Sequence, residues 1–282
     1  MKKILVPTDF SEASNWAVDV AIGIAQRSKA EIILLHIVEF PTSQSFDTAG
    51  EWDLSQNWEE KVFTLRLIKK ANKDLREIEK RVTASGAEVR IELKIGSAYH
   101  GISTIIGEQE VDLIVMGTFG HTRLERIFVG STTDRVIRHS RCPVLTVHEC
   151  PDSNLFENIV YATSINDDEV AFSRVIKTAQ QLYNSKVHLV RVNTPSNFSP
   201  DNSMKKSMEE FATRLELENY TVNVFNDDTE EEGILHFAES IRADLIGLVT
   251  HARSGFSRLL TGSISEQVIN QSRRPVLTYI TD

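Results

Sequence analysis

Short apolar runs and longer amphipathic stretches alternate along the chain. In the first half the runs fall at 3–8, 31–38, 88–94, 112–117 and 143–148. They are rich in Ile, Val and Leu and too short for helices. Helical spacing between them predicts helices near 11–27, 57–84, 98–109 and 131–140. The longest carries Trp58, Val62, Leu65, Ile68, Ala71, Leu75, Ile78 and Val82 at intervals of three or four, one stripe for packing on a sheet. The second half repeats the scheme, with strands near 158–163, 186–192, 221–226, 244–249 and 275–280. Continuous apolar strands separated by helices predict a parallel sheet covered on both faces.

The halves are copies of each other. Val111-Asp112-Leu113-Ile114-Val115-Met116-Gly117-Thr118 aligns with Ala243-Asp244-Leu245-Ile246-Gly247-Leu248-Val249-Thr250, and the match runs on without a gap. Gly130, Ser131, Ser140, Arg141, Pro143, Val144, Leu145 and Thr146 meet identical partners in Gly262, Ser263, Ser272, Arg273, Pro275, Val276, Leu277 and Thr278. Ile4-Leu5-Val6-Pro7-Thr8-Asp9 pairs with Ile159-Val160-Tyr161-Ala162-Thr163-Ser164. A polar stretch with a proline at 149–154 marks the boundary, so two tandem α/β domains are expected over 1–150 and 151–282. Each is expected to be doubly wound, with a five-stranded parallel sheet in the order 3-2-1-4-5, taken from common topologies. The last strands, Pro143–Val147 and Pro275–Tyr279, are expected to be sheet edges.

Composition narrows the function classes. The 282 residues are 41% hydrophobic and 25% charged, which is globular, and they suit two domains better than one core. A net charge of -9 offers no overall basic footprint for nucleic acid or an anionic membrane. No apolar stretch has the length of a membrane span, and the run after Met1 is too short for a signal peptide. Cys142 and Cys150 form neither a CxxC pair nor a disulfide framework, and Cys142 reads as a packing residue. A cytoplasmic location is expected.

In an open α/β sheet, ligands bind outside the carboxyl ends of the strands, where strand order reverses. In the expected order that crevice lies between strands one and four. It is bounded by Pro7-Thr8-Asp9, the strand-two end at Ile37-Val38, and the chain from Met116 onward. After strand four the sequence reads Gly117-Thr118-Phe119-Gly120, then nine residues, then Gly130-Ser131-Thr132-Thr133 opening a helix. Glycines let the main chain approach a phosphate, and a helix N-terminus offers N–H donors and a positive dipole end. Taken singly, each residue has a plainer reading. A glycine after a strand is a turn, Ser131 is a helix cap, and Asp9 is a cap or Asx-turn residue. Their combination at one crevice is more specific, with Asp9 placed for a ribose or adenine edge or a divalent ion.

These residues resemble a tandem universal stress protein over nearly the whole chain. The pattern Gly-x2-Gly-x9-Gly-Ser/Thr that marks the family's ATP-binding subset is matched by Gly117, Gly120, Gly130 and Ser131. Pro7-Thr8-Asp9-Phe10-Ser11 and Leu34-Leu35-His36-Ile37 are likewise similar to family sequences. The resemblance implies that Thr8, Asp9 and Ile37 flank an adenosine while Gly117, Gly120, Gly130, Ser131 and Thr132 hold phosphates. Pro7, Met116, Thr118 and Thr133 complete the expected lining. ATP or another adenine nucleotide is the implied ligand, and a magnesium ion would be contacted only indirectly, through Asp9. The resemblance also implies that the last strands pair across a two-fold axis inside the chain, an internal pseudo-dimer. A further homodimer and an unidentified protein partner stay open. One departure stands out: family loops commonly place His and then a basic residue around the second glycine, and Phe119-Gly120-His121 inverts this. Arg123 or Arg126 would then supply the positive charge.

The second half changes the motif. Gly117, Gly120, Gly130 and Ser131 become Val249, Ala252, Gly262 and Ser263, and Asp9 becomes Ser164. A β-branched valine cannot take a glycine-only conformation without steric cost, so weak or absent nucleotide binding is expected there. Ser254-Gly255-Phe256 and Ser263 keep a loop open to another small ligand. Thr8–Glu12 holds no glycine, and there is no HExxH and no GxGxxG after strand one. A nucleotide-binding stress-response regulator is therefore the first expectation. A slow ATP-hydrolysing enzyme and a scaffold for a protein or other small ligand are the alternatives. The polar segments 40–57 and 193–207, with Phe46, Trp52 and Phe198, read as lids or as plain surface connections.

Overall fold

The structure, a computed structural model, describes residues 1–39, 58–118, 129–149, 156–166, 169–251 and 264–281. Gly120, Ala252, Gly262, Ser263 and the segment 40–57 lie outside the described residues, as do Phe119, His121, Arg123, Arg126 and 254–256. The strands are β1 (Lys3–Pro7), β2 (Glu31–Val38), β3 (Val89–Ile95), β4 (Leu113–Gly117), β5 (Val144–Val147), β6 (Asn158–Ala162), β7 (Lys186–Asn193), β8 (Tyr220–Asn226), β9 (Leu245–His251) and β10 (Val276–Thr281). The helices are α1 (Glu12–Ser28), α2 (Trp58–Ala84), α3 (Ala98–Gln109), α4 (Ser131–His139), α5 (Val170–Tyr183), α6 (Asp201–Arg214), α7 (Glu230–Ser240) and α8 (Ile264–Gln271).

All ten strands join in one sheet, ordered β3-β2-β1-β4-β5-β10-β9-β6-β7-β8. Each half keeps the order 3-2-1-4-5, but the expectation of two separate five-stranded sheets needs correcting. The last strands are edges of their own halves only, and they meet inside the chain as the resemblance implies. They pair antiparallel at the centre, with Val276 opposite Thr146, Leu277 opposite Leu145 and Thr278 opposite Val144, while the other pairs are parallel. An uncovered edge exposes a row of unpaired N–H and C=O groups, and joining the two last strands removes both rows. Thr146 Oγ1 donates to Val276 O at 3.1 Å and Thr278 Oγ1 to Val144 O at 3.3 Å across this joint. The true edges are β3 and β8, whose residues are only partly buried. β3 carries Arg90, Glu92 and Lys94, a charged edge that discourages pairing with another chain.

Strand alternation divides the core in two. Ile4, Val6, Ile32 and Leu34 face α1 and α2, and Leu5, Ile33 and Leu35 face α3 and α4. The second half repeats this with α5 and α6 on the first face and α7 and α8 on the second. Both clusters run through both halves, so the sheet and its core cross the repeat boundary together.

The reading of 193–207 as a loop is also corrected, because α6 begins at Asp201. Met204, Met208, Phe211 and Ala212 are its buried stripe and hold it to the sheet. Asp201 lies in its first turn, where a negative charge favours the helix dipole. No described helix is long and apolar enough to cross a membrane.

Candidate functional site

At the tip of β1 the chain turns sharply into α1. Phe10 adopts a left-handed φ of 65°, uncommon for a residue with a side chain. Two side chains hold that turn. Phe10 N–H donates to Thr8 Oγ1 at 3.1 Å, and Ser11 N–H to Asp9 Oδ1 at 3.0 Å, so Asp9 makes an Asx turn. Ser11 then caps α1 by accepting from Ser14 N–H at 3.2 Å. Thr8 is buried, and its hydroxyl lies 3.0 Å from the Ser14 hydroxyl. Asp9 remains partly exposed beside this turn.

β2 contributes His36, whose Nδ1–H donates to the Thr8 carbonyl at 2.7 Å and whose ring centroid lies 4.4 Å from that of Phe10. Burial lowers the pKa of the imidazole from its ordinary value, against the opposing pull of the Thr8 carbonyl and of Asp9. Ile37, next along, is half-buried. Sequence reasoning named Ile37 but gave His36 no role, although it fastens β2 to the turn.

The other wall comes from β4 and α4. Gly130 N–H donates to Thr118 O at 2.8 Å, and Thr133 Oγ1 to Gly117 O at 3.1 Å, which ties the start of α4 to the end of β4. Gly130 is the N-cap residue and has no side chain to cap the first turn. Ser131 is exposed and Thr132 half-buried, both at the positive end of the helix. Pro7, Met116 and Thr118 are buried. The Thr118 hydroxyl donates to Val147 O at 3.3 Å and lies 3.1 Å from Nδ1 of His148, an imidazole that burial pushes down to about 4. Thr8, Thr118 and Thr133 thus have their hydroxyls committed within the protein. Asp9, Ser131 and Thr132 are the polar candidates left at least partly open to solvent.

Gly117 has a packing reason of its own. A Cβ there would lie 2.6 Å from Ala13 C, 2.7 Å from Ala13 O and 2.8 Å from Ser14 N. The first turn of α1 therefore presses on β4 so closely that only hydrogen fits. No sequence pattern displays that distance.

In the second half the same tip is arranged differently. Ile165 repeats the left-handed turn at φ 64°, and its N–H donates to Thr163 Oγ1 at 2.9 Å. Glu169 stands in register with Ser14, and the residue is 1% exposed. It accepts from Tyr161 Oη at 2.9 Å, Thr163 Oγ1 at 2.7 Å, Ser164 N–H at 2.9 Å and Ser164 Oγ at 2.7 Å. Burial together with this carboxylate raises the pKa of the Tyr161 phenol, keeping it a donor. Arg191 takes the register position of His36, and its Nη1 donates to Thr163 O at 3.3 Å. Glu169, Arg191 and Val249 line a small cavity here of about 110 Å³. Sequence reading passed over Glu169. Its one signal was an acid at the start of an apolar helix.

The repeated aspartates are structural. Asp112 Oδ2 accepts from Lys2 and Lys3 N–H at 2.6 and 2.9 Å, and Asp244 Oδ2 from Asn158 N–H at 2.8 Å. Cys142 is buried, and burial pushes its thiol up to about 12. No group of three His, Cys, Asp or Glu side chains suited to a metal ion converges among the described residues.

A model of the Universal stress protein family matches residues 1–148 and 155–279. Universal stress protein MJ0531 of Methanocaldococcus jannaschii is 34% identical over 147 residues, covering 52% of this chain and 81% of that protein. Universal stress protein MJ0577 of the same organism is 33% identical over 152 residues, covering 52% of this chain and 94% of that protein. The chain is also similar to the crystal structure of a universal stress protein from Archaeoglobus fulgidus DSM 4304. That likeness has a TM-score of 0.76 at 20% identity over 99% of this chain and 98% of the other, and it speaks to the fold.

Proposed function

The chain belongs to the universal stress protein family, and on that footing we propose that its N-terminal half binds an adenine nucleotide, ATP or a close relative, as a regulatory ligand. The observation that carries this reading is the start of α4. It lacks a side-chain cap, presents Ser131 and Thr132, and is pinned to β4 through Gly130 and Thr133. An open helix N-terminus of this kind favours phosphate through its N–H groups and its dipole. Asp9, partly exposed across the crevice, is suited to a ribose hydroxyl, and any magnesium ion would meet it only indirectly. The second half binds nucleotide weakly or not at all. Its tip carboxylate, Glu169, is buried and committed to its own turn, and Val249 replaces Gly117.

Gly130→Asp tests this directly. The backbone there has φ -58°, and a Cβ would meet nothing closer than Thr118 O at 3.5 Å, so a side chain is tolerated. Aspartate is a good N-cap and suits the helix dipole, so the melting temperature should hold or rise. Its carboxylate would take the N–H donors that a phosphate needs and repel the anion. Calorimetry with ATP and magnesium should show one site per chain in the parent and affinity about 10- to 100-fold weaker in the variant. Two equivalent sites per chain, or unchanged affinity in Gly130→Asp, would overturn the reading. Sustained ATP turnover lost in Asp9→Ala would make the protein an enzyme instead.

A further inference from the structure

The two outer edges of the sheet, β3 and β8, are repeat-related strands finished differently. In β3, Gly96 N–H donates to Val38 O at 3.1 Å and Ile32 N–H to Glu88 O at 2.8 Å, so the even-numbered residues bond inward to β2. In β8, Val187 N–H donates to Asn219 O at 3.0 Å and Asp227 N–H to Asn193 O at 3.0 Å, so the odd-numbered residues bond inward to β7. Alternation along the strand then turns the N–H and C=O groups of Tyr220, Val222, Val224 and Asn226 outward. Those groups have no hydrogen-bond partner among the described residues.

β3 guards its open side with Arg90, Glu92 and Lys94. Their register partners in β8 are Thr221, Asn223 and Phe225, so Tyr220–Asn226 carries neither charge nor proline. Tyr, Thr, Val and Phe all favour strands. An edge of that composition, left unguarded, is a template for another strand. It is also held in place. Thr221 Oγ1 lies 2.8 Å from His188 Nδ1, and Asn223 Nδ2 donates to Leu189 O at 3.0 Å, which fastens β8 to β7.

Acid gathers at both ends of this neutral edge, and no Lys or Arg lies between Arg214 and Arg242. Glu216 pairs with Lys177 at 3.0 Å and Asp227 with His236 at 2.7 Å. Glu218 and Asp228, both exposed, mark the two ends. A second copy of this chain laid antiparallel about Asn223 would set Glu218 of one copy opposite Asp228 of the other, and like charges oppose that pairing. A strand with basic residues at its ends meets attraction at both.

We propose that β8 takes up an extended segment of another protein as an added strand, one with an uncharged, β-branched centre and Lys or Arg on either side. The four outward residues supply main-chain hydrogen bonds, and the acids at the ends select the basic flanks.

The peptide Lys-Lys-Thr-Val-Thr-Val-Thr-Lys-Lys tests this against the same peptide with Glu in place of Lys. Both are titrated into the full chain at low salt, with anisotropy reading affinity and amide hydrogen exchange by NMR reading position. Saturable binding of the basic peptide is expected, at least about 10-fold tighter than that of the acidic one. The amides of Tyr220, Val222, Val224 and Asn226 should then exchange at least about 10-fold more slowly, while those of Val89, Ile91, Leu93 and Ile95 on β3 stay unchanged. Val224→Pro removes one outward N–H, leaves the bonds to β7 in place and should weaken the basic peptide about 10-fold. Glu218→Lys combined with Asp228→Lys changes only exposed positions, so the melting temperature should hold while the basic peptide again binds about 10-fold more weakly. Absence of saturable binding, equal affinity for the two peptides, protection on β3 instead of β8, or unchanged affinity in either variant would each overturn the proposal. So would a parent dimer that Val224→Pro dissociates, since a second copy would then occupy the edge.

Discussion

The tips of β1 and β6 make the same turn with the carboxylate in different places. Both pass through a left-handed third residue, Phe10 or Ile165, and both hold it with a threonine hydroxyl. At the first tip the acid is Asp9, on the turn itself and partly exposed, while Ser14 inside the helix contributes only a hydroxyl. At the second tip the turn residue is Ser164 and the acid has moved inward to Glu169, where four donors from Tyr161, Thr163 and Ser164 surround it. A duplicated scaffold can relocate a charge if every buried lone pair finds a donor. The inward position is then part of the core, and the outward one keeps an acid at the crevice. The strand beneath has changed in step. α1 presses its backbone on Gly117, whereas α5 begins only at Val170, later in the shared register, and β9 carries Val249.

Truncating the two tip residues should give the largest contrast. Glu169→Ala leaves the Tyr161 and Thr163 hydroxyls without their acceptor inside the protein and should lower stability by about 3–5 kcal/mol. Ser14→Ala removes one hydroxyl pair and should lose only about 1 kcal/mol. Urea denaturation of both variants measures the gap, and equal losses would mean that the buried carboxylate is no more structural than the serine it replaced.

Exchanging the strand residues comes next. Gly117→Val drives a branched side chain into the Ala13 main chain, which cannot rotate away as a side chain could, and should cost about 3 kcal/mol. Val249→Gly removes a half-buried side chain and adds backbone freedom, for about 1–2 kcal/mol. The same assay decides. If Gly117→Val proved as mild as its reverse, the close approach of α1 would not be the reason for glycine.

Acid should act mainly through the first half. His148 is buried with a pKa near 4 against an ordinary 6.5, and its register partner in the second half is Ile280. Between those values the unfolded chain binds more protons than the folded one, so stability rises with pH across the window. The contribution is complete above about pH 6.5 and lost progressively toward pH 4, a swing of about 3 kcal/mol at most. His36 in the same half and the partly buried His188 in the second are shifted in the same direction, which adds to the slope without reversing it. His148→Ile, which copies the second half, should flatten the plot of urea midpoint against pH between 7 and 4.5. A slope unchanged in that variant would assign the acid sensitivity elsewhere.

Much of this was legible in the chain, for identifiable reasons. Runs such as Ile4–Val6 and Ile32–Leu35 are apolar on both faces because helices cover both, and that pattern fixes strand positions to within a residue or two. The fused sheet was legible only through family resemblance, since periodicity says which residues are apolar and not which strand lies beside which. α6 was hidden because Met204, Met208 and Phe211 are diluted by Lys205, Lys206, Glu209 and Glu210 on its outer side. The sequence points to the segments that would bound a crevice, at Thr8-Asp9 and after Met116, but it gives no sign that the close approach of the Ala13 backbone leaves Gly117 room for no side chain. Thr8 and Thr118 look like available hydroxyls in a sequence, and only coordinates show them hydrogen bonded within the fold.

The smallest effect expected concerns the joint itself. Arg138 on α4 reaches Asp134 at 2.7 Å in its own half and Glu266 on α8 at 2.7 Å in the other. Its register partner is Asn270, which instead accepts from Val129 N–H through Oδ1 at 2.9 Å, so the two sides of the joint are unequal. The Arg138 and Glu266 side chains are 45% and 33% exposed, and a solvated pair of this kind contributes about 0.2–1 kcal/mol. Arg138→Asn, which makes the two positions alike, should lower stability by no more than that at low ionic strength. The difference should vanish near 1 M salt, where the screening length falls to about 3 Å. Urea midpoints at the two salt concentrations read the effect. A salt-independent loss of more than about 2 kcal/mol would mean that this ion pair, and not the β5–β10 ladder with the leucines packed on it, holds the halves together.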